Sequence, residues 1–65
     1  MKKLHDFLDY KLVKVIIKKG DEFTGTPVAV VYADESASGE DELDIENDKI
    51  YSFAESEIES IEIIS

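Results

Sequence analysis

The residues of this chain that could do chemistry are mainly carboxylates. The sequence of 65 residues contains sixteen Asp and Glu, one His and no Cys. A carboxylate pair performs acid–base catalysis when a walled cleft drives the two pKa values apart, and a small filled domain has little room for such a cleft. His5 stands beside Asp6, but no Ser or Cys nucleophile is arranged around this pair. These features predict a protein that is not an enzyme.

The spacing of several acidic residues also resembles that of a calcium-binding loop. Asp44, Glu46 and Asp48 alternate along the chain, and Glu55 stands eleven positions after Asp44. The sixth position of such a loop has to be Gly to allow a sharp turn, whereas here it is Lys49, whose charge repels calcium. Two strands joined by a turn explain the segment better. We therefore expect no metal ion and no cofactor.

The charge is unevenly distributed along the chain. Residues 1–19 contain six Lys and two Asp, which gives +4, whereas residues 20–65 contain one Lys and fourteen acidic residues, which gives −13. The resulting net charge of −9 repels phosphate, so an RNA-binding version of this protein would have to use its early lysines. The candidate RNA contacts in that alternative are Lys11, Lys14, Lys18 and Lys19.

Length and composition bound the class of protein. A chain this short predicts a single domain over residues 1–65, small enough for oligomerisation to help its stability. The absence of Cys is compatible with a reducing cytoplasm. No apolar run reaches the length of a membrane span, and the N-terminal lysines are not followed by the apolar segment of a signal peptide. We expect a cytoplasmic protein that makes no membrane contact.

The apolar spacing predicts one helix followed by five strands. Leu4, Phe7 and Leu8 stand at i, i+3 and i+4, which predicts a short α-helix at about 2–9. Alternation with a period of two follows it. The expected strands cover about 11–18, 22–32, 42–47, 50–54 and 58–64. In the last strand, Ile61 and Ile63 are expected to face the core, and Ile58 and Ile64 are expected to point elsewhere or lie at the ends.

Turn residues indicate how these strands connect. Gly20 can take the positive φ of a tight hairpin, and Gly25 and Pro27 inside the second strand predict a sharp bend or a bulge. Residues 34–42 hold five acids and no large apolar side chain, so we expect a mobile acidic loop. Short, strongly bent strands favour a small barrel, which removes exposed sheet edges.

The aromatic residues divide into two sets by their spacing. Phe7, Phe23 and Phe53 fall on apolar faces and are expected to pack in the core. The three tyrosines are expected to be partly exposed and available for contacts with a partner, namely Tyr10, Tyr32 and Tyr51.

Two groups of residues resemble the motifs of Sm-like proteins. Gly20, Phe23 and Gly25 after an alternating strand resemble the first motif, and the apolar frame of Phe53, Ile58 and Ile61 resembles the second. The resemblance implies a mainly β, five-stranded, strongly bent SH3-type barrel with a short N-terminal α-helix. It also implies rings in which the fourth strand of one protomer pairs with the fifth of the next. The chain resembles short acidic Sm-like proteins of low-GC Gram-positive bacteria and their prophages, and this resemblance implies no particular activity.

The chain departs from this family at the residues that bind RNA. The segment 30–35 offers no Asn, and Ala54 and Glu55 stand where the family has Arg-Gly. The guanidinium that would stack on a base or bind phosphate is therefore lost. The favoured hypothesis is a non-catalytic protein-interaction or assembly module that binds a protein partner or itself. Two alternatives stay open: an RNA-binding ring that uses the early lysines, and an acidic decoy that mimics nucleic acid.

Overall fold

The computed structural model of the protein describes residues 4–65. The chain forms a mainly β structure with five antiparallel strands, which confirms the predicted class. The elements are an N-terminal 3-10 helix at Leu4–Asp9, β1 at Val13–Ile17, β2 at Glu22–Val31, β3 at Glu42–Asn47, β4 at Lys49–Ala54, a single 3-10 turn at Glu55–Glu57 and β5 at Ile58–Ile63. Below, Glu55–Glu57 is called the β4–β5 turn.

The N-terminal helix differs from the predicted α-helix because it has 3-10 geometry. A segment of six residues closes few i→i+4 hydrogen bonds, and here the amide of Tyr10 donates to the carbonyl of Phe7, three residues back, at 3.2 Å. In a 3-10 helix residues i and i+3 lie above one another, so Leu4 and Phe7 are both buried, whereas Leu8 turns outward and is 38% exposed. Residues 2 and 3 of the predicted helix lie outside the described residues.

The strands form one sheet in the order β4-β3-β2-β1-β5. Strand β2 serves two partners, since residues 22–25 pair with β1 and residues 26–31 pair with β3. Hydrogen bonds from Lys11 and Leu12 to the carbonyl of Ser65 extend the pairing of β1 with β5. This arrangement is consistent with a small barrel-like fold, and within residues 4–65 no ladder joins its two outer strands, β4 and β5.

The bend of β2 occurs at Gly25, where its backbone lies close to the backbone of β3. Gly25 is buried, and a Cβ atom there would lie 2.7 Å from the carbonyl oxygen of Glu46 on β3. Just beyond, the register between β2 and β3 shifts between Pro27 and Ala29, so Val28 is the extra residue of a bulge. The predicted bend and bulge at Gly25 and Pro27 are therefore confirmed.

The core lies between the two halves of this bent sheet and under the N-terminal helix. Val13 and Val15 of β1 and Leu43 and Ile45 of β3 are fully buried. Around them pack the remaining apolar side chains of the cluster, buried for Leu4, Phe7 and Phe53, and partly buried for Tyr10, Ile17, Phe23, Val30, Tyr51, Ile58 and Ile61. The three phenylalanines thus pack as predicted. Among the tyrosines, Tyr10 and Tyr51 pack against the core and Tyr32 is exposed.

Strand β5 does not follow the predicted strict alternation. Ile58 pairs with Ile17 while Ser60 pairs with Ile16, so Glu59 is an extra residue that returns Ile58 to the core side. Ile58 lies at the first position of β5, one of the two outcomes expected for it, and the bulge brings it to the core side because it shifts the side-chain alternation by one residue. Ile61 packs on the core as predicted.

Ile63, the second isoleucine of β5 expected to face the core, is only partly covered by other residues. Ile63 pairs in register with buried Val13, yet it is 43% exposed. It lies at the last position of β5, and Ile64 beyond it is 49% exposed. Ile63 thus shares the sheet face of Val13, as predicted, but it is poorly covered because it lies at the end of the strand.

Replacing Gly25 by Ala should destabilise the fold. The new methyl group would lie within contact distance of a backbone carbonyl that cannot move without opening the β2–β3 ladder. We expect a loss of about 1–3 kcal/mol in the free energy of unfolding, measured by urea denaturation.

The matched control is Thr26→Ala at the exposed neighbouring position, for which we expect a change within about 0.5 kcal/mol. Equal stability of the Gly25 variant and the wild type would show that the close approach does not constrain the bend.

Candidate interaction surfaces

The four candidate RNA-binding lysines are spread along β1 and both of its ends. Lys11 precedes β1, Lys14 lies within it, and Lys18 and Lys19 lie in the turn that follows. Seven residues of extended chain separate Lys11 from Lys18, a span of roughly 20 Å. The structure therefore places these lysines at the two ends and the middle of β1.

Carboxylates accompany the lysines of β1 and of its turn. The ammonium of Lys14 lies 3.6 Å from a carboxylate oxygen of Glu22, and Lys14 pairs across the sheet with Glu62. Lys18 and Lys19 line a shallow pocket together with Glu57. A phosphate group would have to compete with these carboxylates for the same ammonium groups.

The residues that carry the resemblance to Sm-like motifs lie in a turn, at the bend of β2 and in or against the core. Gly20 has a φ of 99° in the β1–β2 turn, as predicted, and Gly25 permits the bend. The ring of Phe23 packs 5.1 Å from that of Phe53 and 5.5 Å from that of Tyr51, measured between centroids. Ile58 and Ile61 pack against the same core. These residues therefore contribute to the packing and turns of the fold.

The two outer strands have opposite charge. Strand β4 carries Lys49 and no acidic residue, whereas β5 carries Glu59 and Glu62 and no basic residue. Ile50 on β4 is 59% exposed, more than any other large apolar side chain of residues 4–65. Each strand also has one edge whose backbone N–H and C=O groups pair with no other strand of residues 4–65.

An apolar groove of about 200 Å³ runs beside β5. The N-terminal helix forms one wall and β5 the other, and Glu55 and Glu59 contribute carboxylates to it. Its apolar lining consists of Leu4, Phe7, Ile58 and Ile61. The groove thus combines apolar area with negative charge next to an unpaired strand edge.

The acidic loop contains hydrogen bonds between its own residues. The amide of Ala33 donates to Asp41 Oδ1 at 2.9 Å, and the hydroxyl of Ser36 donates to the carbonyl of Glu40 at 2.6 Å. The serines between the acids make these contacts possible, because their hydroxyls donate to a loop carbonyl and to a carboxylate close by in sequence. The acidic composition of the loop does not by itself reveal these hydrogen bonds.

The same loop is attached to the β4–β5 turn. The amide and the hydroxyl of Ser56 donate to the two carboxylate oxygens of Glu40 at 2.9 and 2.8 Å. The amide of Glu55 donates to the carbonyl of Asp41 at 2.9 Å. Glu57 Oε1 accepts from the amide of Ala54 at 3.1 Å and closes the turn from the other side. Side chains 16 residues apart therefore fix the point at which β4 passes into β5.

The residues first considered for catalysis and metal binding do not converge on a site. His5 Nε2 lies 3.2 Å from Asp6 Oδ1, and both side chains are about half exposed. Asp44 and Glu46 lie on β3, and Asp48 takes a φ of 65° in a tight β3–β4 hairpin, as the strand interpretation of this segment predicts. No group of three or more His, Cys, Asp or Glu residues within 4–65 could hold a metal ion.

Comparisons with protein-family models, with curated proteins and with solved structures found no match to this chain. In the part of the chain that the structure describes, no helix has the length and apolar character needed to cross a membrane. The assignment of function therefore depends on the surfaces described above.

Replacing Glu40 by Ala should loosen the β4–β5 turn. The amide of Ser56 would lose its acceptor, so we expect its hydrogen exchange with solvent to accelerate by about tenfold or more, measured by NMR.

Glu35→Ala is the matched control, because it removes the same charge from an exposed position of the same loop. Its effect on Ser56 exchange should stay within about twofold. Equal exchange rates in the two variants would mean that charge, and not the Glu40 contact, governs the turn.

Proposed function

We propose that this protein is a non-catalytic Sm-like barrel that acts as a protein-interaction or assembly module, in which β4 of one copy pairs with β5 of the next. The observation that carries the proposal is the pair of unpaired outer strands with opposite charge. The Sm-like motif residues support it as a resemblance, since such rings are what the resemblance implies.

Charge favours head-to-tail pairing over symmetric pairing. Two β5 strands paired antiparallel in full register would place Glu59 of each copy opposite Glu62 of the other, and a second β4 strand would offer Lys49 no carboxylate partner. Pairing of β4 with β5 instead places Lys49 near an acidic strand. A contact of this kind uses two different surfaces of each copy, so it closes into a ring or extends as a filament.

The groove beside β5 offers apolar area for such a contact. A strand added along β5 would cover part of the surface formed by Leu4, Phe7, Ile58 and Ile61. Exposed Ile50 on β4 would lose part of its contact with water on the opposite face of the joined sheet. A domain of 65 residues gains only a few kcal/mol from its own core, so burial of this area would add to its stability.

The RNA-binding alternative has less support from the geometry. Its four lysines are spread over roughly 20 Å, and Lys14 is paired with Glu22. The decoy alternative relies on negative charge alone, which any acidic surface supplies.

The first test is the mass of the purified protein by light scattering over a dilution series. We expect a multiple of the 7.3 kDa protomer, with about five to seven copies if the assembly closes as a ring. A mass of one protomer at every concentration would contradict the assembly proposal.

Charge reversal at the proposed contact provides a sharper test. Lys49→Glu or Glu59→Lys alone should weaken self-association by about tenfold, and the two together should restore it, because the attraction is then inverted and not removed. Lys19→Glu is the matched control, since it makes the same charge change at an exposed turn. Equal effects of Lys49→Glu and Lys19→Glu, or a double variant as weak as the singles, would reject the β4–β5 contact.

RNA binding is tested by filter titration at physiological salt. The assembly proposal predicts no sub-micromolar affinity, because the net charge is −9 and the Arg-Gly position holds Ala54 and Glu55. A tight complex that is lost at higher salt, and lost when Lys11, Lys14, Lys18 and Lys19 become Glu, would establish the RNA-binding alternative instead.

A further inference from the structure

The groove beside β5 exists because two elements each place apolar side chains three residues apart on the same side. In the N-terminal 3-10 helix, Leu4 and Phe7 lie above one another and form one wall. In a regular strand Ile58 and Ile61 would face opposite sides of the sheet, but the bulge at Glu59 turns both toward the groove. Both isoleucines are only partly buried, so the side chains of residues 4–65 leave this apolar surface open.

The volume of the groove indicates the size of its occupant. The groove measures about 200 Å³, which is less than the roughly 300–1,000 Å³ of pockets that enclose drug-sized ligands. A single bulky apolar side chain is a closer match. The groove also lies beside the edge of β5 that pairs with no other strand of residues 4–65. A polypeptide that pairs with this edge would therefore carry its side chains past the groove.

The carboxylates at the groove favour a positively charged partner. Glu55 and Glu59 belong to its lining and are exposed to solvent. Neither of them takes part in the ion pairs that residues 4–65 form with one another. Glu62 follows on the same strand, and residues 20–65 together carry a charge of −13, so the field along β5 attracts Lys and Arg.

A second copy of the chain would not fill the groove when its β4 pairs with β5. On the core side of the joined sheet, β4 presents Lys49, Tyr51 and Phe53. The rings of Tyr51 and Phe53 already pack against Phe23 of their own copy, at 5.5 and 5.1 Å between centroids. Ile50 lies on the opposite face. Self-association would thus pair the strand edge without placing an apolar side chain in the groove.

We propose that the groove beside β5 binds an extended segment of another protein, which adds as a strand to the free edge of β5. One bulky apolar side chain of the segment enters the groove, and a Lys or Arg two positions away pairs with Glu55 or Glu59. Residues two apart share one face of an extended chain, about 7 Å from each other, so the anchor and the charge point to the same side.

This partner differs from a second copy of the chain. Among residues 4–65, the exposed large apolar side chains have no lysine two positions away. The inference goes beyond the self-association proposed above, and it concerns the same strand edge. The segment and a second copy would therefore exclude each other at β5.

The test uses a fluorescent peptide in which Lys-Thr-Leu-Thr-Lys stands between threonines. Binding is measured by anisotropy to the wild type and to Lys49→Glu, the variant expected to weaken self-association. We expect this peptide to bind at least about tenfold more tightly than a peptide with Ser in place of Leu, or one with Glu in place of both Lys. Equal binding of the Leu and Ser peptides, or no binding to either protein, would overturn the proposal.

Protein variants locate the contact. Glu59→Gln should weaken binding by about tenfold, whereas Glu62→Gln removes the same charge from the same strand outside the groove and should change binding by less than about threefold. Ile61→Ala should also weaken binding, with Ile63→Ala as its control. Because Ile61 packs on the core, circular dichroism checks the folding of its variant, and the glutamate pair leaves the core unchanged. Equal losses from the two glutamate variants would show that the overall negative field binds the peptide, and would overturn the assignment to the groove.

Two further measurements identify the strand edge. The peptide should slow the hydrogen exchange of β5 amides and not of β4 amides, measured by NMR. Where the wild type assembles, excess peptide should lower its mass by light scattering toward that of one protomer. Bound peptide with an unchanged mass, or protection of β4 instead, would overturn strand addition at β5. Anisotropy with Lys49→Glu needs no self-association, so failure of the assembly proposal and failure of peptide binding are separate results.

Discussion

The close contact between Gly25 and the backbone of Glu46 is the constraint on which the rest of the structure depends. Because no side chain separates the two strands there, β2 can change partner from β1 to β3 within one residue step. The two half-sheets then face each other across fully buried side chains from β1 and β3. A larger residue at this point would hold the sheet more open and leave Val13 and Leu43 without cover.

Closing the core in this way leaves β4 and β5 as the outer strands, and their relation is fixed by a single turn. That turn has three residues and few contacts of its own, and Glu40 and Asp41 hold it from the acidic loop. The amides of Ala54 and Glu55 are thus engaged in internal hydrogen bonds, the first with the carboxylate of Glu57 and the second with the backbone carbonyl of Asp41. Some of the carboxylates of this protein, Glu40 and Glu57 among them, therefore help to organise the fold.

Much of the fold could be predicted from the sequence because its signals are local. Alternation around Val13 and Val15, the turn at Gly20 and the bend at Gly25 each follow from residue type and spacing. The errors arise where geometry depends on partners. The apolar spacing of Leu4, Phe7 and Leu8 fits an α-helix and a 3-10 helix almost equally well. Only the exposure of Leu8 in the structure distinguishes the two helix types. The bulge at Glu59 and the contact of Glu40 with Ser56 depend on residues far apart in sequence, which no periodicity reveals. The candidate surfaces could not be predicted from the sequence for the same reason, since they depend on the order and register of neighbouring strands.

The pairing of β1 with β5 has a consequence for how the chain folds as it is made. Lys11 and Leu12 bond to Ser65, so the first strand takes its second partner from the opposite end of the described chain. Such contacts have high sequence separation and slow the folding of small domains. During synthesis, β1 to β4 leave the ribosome before β5, and one edge of β1 stays open until Ile63 has emerged. In that interval the strand of Val13 and Val15 is exposed to strand exchange with other nascent chains, and the lysines along it give the intermediate a charge that opposes such contacts.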